Sequence, residues 1–279
     1  MATTALPQIE AAKPRRGGRV KRFQHFVAQT AFAFLLLAIA VALVAGIGTR
    51  LTLWNPAFGQ FGVFPYSLYL AVAALVLGLV WAVSAFASGS GDGARYGVGA
   101  ILASLIIFWI PARDFWMAEV VHSIPPINDI STDSEHAPEF LQPAEIGRAA
   151  TRVGYDGMRR IKFEGRSYAE EALQRLYYGD IKPVWQLGTT AKKLYKRALS
   201  AARQMGWRIV DVAPDGHGGR IQASDTTTLF GVTDDIVIRV EPAGIGARLD
   251  IRSRSRDSVS DLGRNAARIR AYIKRLASS

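Results

Sequence analysis

The sequence predicts an α+β membrane protein: three amino-terminal transmembrane helices, then a soluble domain in which an antiparallel meander sheet packs against helices. Three observations lead there. The first third of the chain holds three long runs without charge. Segments of helical period and of alternating period follow one another in the second half. The alternating segments are separated by PDGHGG, GVTD and PAGIG, which are turn sequences too short to contain a crossover helix.

The elements follow in chain order. Residues 1–25 read as a basic cytoplasmic tail with Lys13, Arg15, Arg16, Arg19, Lys21 and Arg22 against one acid, Glu10. A membrane region, 26–117, follows. Phe26–Gly48 contains 23 uncharged residues, enough at about 1.5 Å each to cross a hydrocarbon core of roughly 30 Å. Tyr66–Ala87, entered after Pro65, reads as a second span. Tyr96–Ala112 reads as a third, anchored at the headgroup level by Phe115, Trp116 and Met117. The triplet Ala40-Val41-Ala42 could read as a signal-peptidase site, but the apolar run continues past it. Basic residues stay cytoplasmic. Three crossings would then put the rest of the chain outside a plasma (inner) membrane.

Residues 118–145 read as an arm. Between Asp114 and Glu139 there are six acids and no lysine or arginine, while Pro125-Pro126 and Pro138 forbid a continuous helix. Ile127, Ile130 and Phe140 are too apolar for a free tether, so the arm is expected to lie on its own domain. Asn128, Asp129, Asp133 and Glu135 match no calcium-loop spacing, and no metal is expected.

Residues 146–279 read as the soluble domain. Tyr168–Tyr178 looks helical, Asp180–Leu187 extended with Pro183 favouring an edge, and Thr190–Met205 an amphipathic helix ended by Gly206. Trp207–Val212, Arg220–Ala223, Thr226–Phe230, Asp235–Glu241 and Ala247–Ser255 read as strands, and Leu262 to Leu276 as a closing amphipathic helix.

Charge and motifs restrict the function classes. Of the formal +11, the tail to Phe26 supplies +5 and residues after Arg113 only +4, so a basic nucleic-acid-binding module is not expected. With no cysteine there is neither a thiolate metal site nor a cysteine nucleophile. GxxxxGK[ST], HExxH and GxSxG are absent, and no catalytic residue or cofactor is assigned. Asp234 and Asp235 are strand neighbours on opposite faces and cannot form an acid–base dyad.

One stretch does carry a site hypothesis. Leu249, Ile251, Ser253 and Ser255 take one face of a strand, so Asp250, Arg252, Arg254 and Arg256 line up on the other. Either acids of the same chain pair with that row, or it binds an anion or partner together with Ser258, Ser260 and Arg264, the start of the last helix adding N–H donors. Asp261 would compete for those donors. The acidic arm, with Asn128, Asp129 and Asp133, is the second candidate. The expected function is binding of an envelope protein or of an anionic lipid or glycan. The alternative is a hydrolase or transferase using Asp129, Asp133 and Asp235.

INDISTD (Ile127–Asp133), GVTDDIVIRV (Gly231–Val240) and DIRSRSRDSVSDLGRNAARIR (Asp250–Arg270) resemble domain-of-unknown-function family 1499, found in bacterial envelope proteins with amino-terminal spans. The resemblance covers roughly Ser123 to Leu276. Two positions depart from it: Ala137-Pro138 where relatives tend to have paired prolines, and Asp257-Ser258 where a glycine commonly follows the arginine–serine run. The resemblance implies location and architecture and supplies no catalytic residue.

Overall fold

The computed structural model describes residues 16–106, 124–141, 154–256 and 260–278. The chain divides into two compact units, Met1–Val44 with Val63–Asp114, and Ala45–Gly62 with Phe115–Ser279.

The first unit holds helix α1 (Arg16–Arg50) as far as Val44, then α2 (Phe64–Ser88) and the shorter α3 (Ala94–Ile106). Two helical stretches, Gly18–Arg50 and Phe58–Ser88, are long and apolar enough to cross a membrane. That is two where three were expected. The third expected span is helical only to Ile106 within the described residues, and its remainder, residues 107–112, lies outside them. Small residues let the helices approach: Ala28, Ala31, Ala38, Ala74 and Ala100 are fully buried. A Cβ on Gly97 would lie 2.3 Å from the Trp81 ring. Leu36, Leu37, Val44, Leu79 and Phe86 instead face outward. Gln24 is buried among these helices and donates to Ser84 Oγ (3.2 Å) and Ser88 Oγ (2.7 Å).

The second unit is α+β. Strands β1 (Asp129–Ser131), β4 (Val184–Leu187), β5 (Arg208–Pro214), β6 (Gly219–Thr226), β7 (Thr233–Ala243) and β8 (Gly246–Ser255) form one antiparallel sheet. Its order is β1-β8-β7-β6-β5, and β4 shares the β8 edge with β1. The last four strands form the expected meander. A separate hairpin joins β2 (Arg160–Phe163) to β3 (Arg166–Ala169) and leads into α4 (Glu170–Tyr177). Helices α5 (Ala191–Gln204) and α6 (Arg264–Ala277) cover one face.

Alternation on the strands puts Ile221, Ala223, Ile236, Ile238, Leu249 and Ile251 against Leu194, Ala198, Ile269 and Tyr272 of the helices. Trp207 stacks on Tyr272 at 5.2 Å between ring centroids. Thr226–Phe230, expected as a strand, is instead the end of β6 and a loop. The Thr227 hydroxyl accepts from Val232 N, and the Thr227 carbonyl from Gly231 N, so local hydrogen bonds replace the ladder. The arm enters the sheet as β1, with Ile127, Ile130 and Phe140 buried.

Candidate functional site

The site grows from the pairing of β8 with β1. In that register Asp129 stands opposite Arg254 and Ser131 opposite Arg252, so the arm's carboxylate meets the arginine row at the sheet edge. The row is then divided among different partners. Arg252 has no exposed surface, and its Nε and Nη2 donate to the two Asp129 oxygens, each at 2.8 Å. Arg252 also donates to the carbonyls of Pro138 (3.2 Å) and Gly154 (2.9 Å), and its guanidinium lies over the rings of Phe140 and Tyr155. At least four of the five N–H donors of Arg252 are therefore given to protein groups, because the edge pairing delivers Asp129 to it. An anion from solvent is not what this guanidinium holds.

Arg256 reaches sideways to β7, where Nε and Nη2 donate to Asp235 at 2.8 and 2.7 Å. Asp234, on the other face, accepts from Arg264 at 2.8 and 2.7 Å and from Arg268 at 2.6 Å. The two neighbouring acids thus serve opposite faces of one strand. Ser260 Oγ accepts from Leu262 N, and Ser258 lies outside the described residues. Asp261 caps α6 by accepting from Gly263 N (2.7 Å) and Asn265 N (2.9 Å). Burial pushes its carboxyl up to about 6 against those two hydrogen bonds. The donors expected for a bound anion are taken by this side chain. Asp133 joins a second lattice with Arg248, Arg239 and Asp250. Burial opposes its ionisation, yet hydrogen bonds from His136 N and Arg248 hold it below the usual carboxylate range.

Arg254 is placed differently. It lines a cavity of about 180 Å³ with Asn128, Asp129, Asp156, Arg159 and Glu170. Its Nε is 3.7 Å from Asp129 Oδ2, a looser approach than the 2.8 Å pairs of Arg252. Burial lowers its pKa, Asp129 opposes that, and the charges of Arg252 and Arg159 reinforce it. Across the cavity Arg159 Nε and Nη2 donate to Glu170 at 2.7 and 2.8 Å, and Nη2 to Asn128 Oδ1 at 2.9 Å. Burial raises the Glu170 pKa, with the Arg159 hydrogen bond pulling it back. A cleft with ionisable groups perturbed by burial and by named partners is a candidate binding site on physical grounds.

Of the expected residues, Asn128, Asp129 and Arg254 come together here, whereas Arg252, Arg256, Arg264 and Asp133 are built into ion pairs around it. Asp156, Arg159 and Glu170 are new to the site. The signal for two of them is Glu164-Gly165, with φ of 48° and 74°, a hairpin turn that pairs Arg160 with Ala169 and so sets Arg159 beside Glu170.

No curated protein matches the chain. A family model described as protein of unknown function, DUF1499, matches residues 129–276, more than half of the chain and from the first residue of β1 to the last turn of α6. The chain belongs to this family.

Proposed function

We propose that this is a multi-pass protein of the plasma (inner) membrane with a cytoplasmic amino terminus, whose extracytoplasmic sheet domain binds an anionic envelope component at the Arg254 cavity. Two apolar helices of spanning length support the anchor. The orientation rests on the basic residues. Lys21 approaches Asp92 at 3.9 Å and Gln24 reaches Ser88, so Arg19, Lys21, Arg22 and Arg95 gather at one end of the helical unit. Basic residues at one end of such a unit mark the cytoplasmic side. A third crossing, from α3 onward, then carries the sheet domain outside.

The observation that carries the binding reading is Arg254 in the wall of a small polar cavity. Guanidinium N–H groups on a cavity wall suit a phosphate or carboxylate. Arg159, held by Glu170, lies across the cavity. About 180 Å³ accommodates a phosphate or carboxylate group and the carbons next to it, so the group recognised is the charged end of a larger component. The test is titration of the full chain in nanodiscs with glycerol phosphate, followed by the melting temperature, since a ligand of the folded state raises it. A concentration-dependent rise that disappears in Arg254→Gln is expected; an equal rise in parent and variant would refute the site.

A further inference from the structure

At the end of the sheet remote from β1, a second surface stands out. The β7–β8 turn and the end of β4 are tied by Gly188 N donating to Ile245 O at 3.1 Å, and Leu187 pairs with Gly246. This fixed double tip holds two large apolar side chains in solvent, Ile245 at 82% and Leu187 at 74% exposure, with Trp185 behind them at 58%. Trp185 and Leu187 alternate on one face of a four-residue edge strand. Next to the tip, a cleft of about 560 Å³ opens between Gly188–Lys192, the Gly216-His217 turn and Pro242–Gly246.

The adjoining helical layer is basic. Neither α5 nor α6 contains an acid. The last turn of α6 meets α5 where Arg197 donates to Leu276 O. Around that junction Lys192, Lys193, Lys196, Lys274 and Arg275 are exposed and form no ion pair among the described residues. Lys192 and Lys193 also stand in the first turn of α5, where the helix dipole disfavours cations, so local stability does not explain them. Among the described residues, Asp215 and Glu241 lie at this end and are engaged locally. Asp215 accepts from His217 N and Gly218 N, and Glu241 lies 3.5 Å from Arg239.

Apolar tips backed by lysines match the interface of an anionic bilayer, where aliphatic side chains enter the headgroup boundary and cations meet lipid phosphates. A soluble polyanion would use the lysines and leave Ile245 and Leu187 without a role. β1 pairs with the far end of β8, and the ten residues of that strand place the tip about 30 Å from where the chain joins the sheet. We propose that this tip docks on an anionic bilayer. The proposal rests on the membrane anchor and not on the Arg254 cavity.

The experiment uses the full chain in phosphatidylcholine nanodiscs, sedimented with vesicles of phosphatidylcholine alone or with phosphatidylglycerol added. Capture by the anionic vesicles only, weakening with salt, is expected. Ile245→Ser or Leu187→Ser should weaken it about tenfold, and Lys192→Gln with Lys193→Gln several-fold, with melting unchanged from the parent. Equal capture by neutral vesicles would overturn the proposal. So would capture that dextran sulfate replaces while Ile245→Ser has no effect. A chain that fails to insert into nanodiscs would instead defeat the anchor, and Arg254→Gln should leave vesicle capture unchanged.

Discussion

Arg252 and Asp129, 123 residues apart in the sequence, form a bidentate ion pair with both nitrogen–oxygen distances at 2.8 Å and no exposed surface on the arginine. The pair fastens the arm to the last strand. It also settles what the arginine row does at its first position, because a charge removed from water must keep its partner.

Breaking that pair from one side should therefore be costly. Asp129→Asn in the full chain should lower stability by about 3–5 kcal/mol, since Arg252 stays buried without a counter-charge. The double change Asp129→Leu with Arg252→Met should recover a large part of the loss. Chemical denaturation of the three proteins checks this; a single variant as stable as the parent would show that the pair is dispensable.

The arm's apolar anchors should matter as well. Ile127 and Ile130 are fully buried, and truncating either to alanine should cost about 2–5 kcal/mol by lost transfer energy and an unfilled cavity. Unchanged melting would mean that the arm is not held by these side chains.

Much of this arrangement was legible in the sequence. The alternation of Leu249 to Arg256 separates the apolar and arginine faces of β8, and the adjacency of Asp234 and Asp235 sends them to opposite faces, where they meet Arg264 and Arg256. Asp261 competes for its helix terminus in the way a carboxylate at that position can. Long-range pairing was not legible. No local pattern announces that a three-residue strand at Asp129 joins the edge of β8. The Arg159–Glu170 pair is hidden because Tyr168 and Ala169, the end of β3, read as part of the helix that follows, and Thr226–Phe230 imitates a strand by its β-branched residues while its hydroxyls close a loop.

Asp261 gives a pH dependence whose sign is fixed. Its carboxyl is raised in the folded chain from 3.8 to about 6, so the folded state holds the proton more tightly than the unfolded state does. The stabilisation from that proton is complete below about 4 and is lost as pH rises through about 6. Asp261→Asn keeps an acceptor at the cap and removes the titration. Relative to the variant, the parent should lose up to about 3 kcal/mol between pH 4 and 6. Parallel stability curves for parent and variant across this window would contradict the shift.

Topology is open to a reporter that works only outside the cytoplasm. Fused after Ser279 it should be active, and fused at Gly91, between α2 and α3, it should be silent. Inactivity after Ser279 would mean that the segment from α3 onward does not cross.

The most direct measurement for the anion-binding cavity is calorimetric titration of the full chain with glycerol phosphate, in the parent and in Arg254→Gln, with melting recorded for both. The parent should bind, and the variant should bind at least about tenfold more weakly while melting at the parent's temperature, because one charge-assisted fork contributes about 1.5–3 kcal/mol. Binding of equal strength in the two proteins, or, where Arg254→Gln unfolds, an Arg254→Lys variant that folds and binds as tightly as the parent, would contradict the Arg254 fork as the ligand contact.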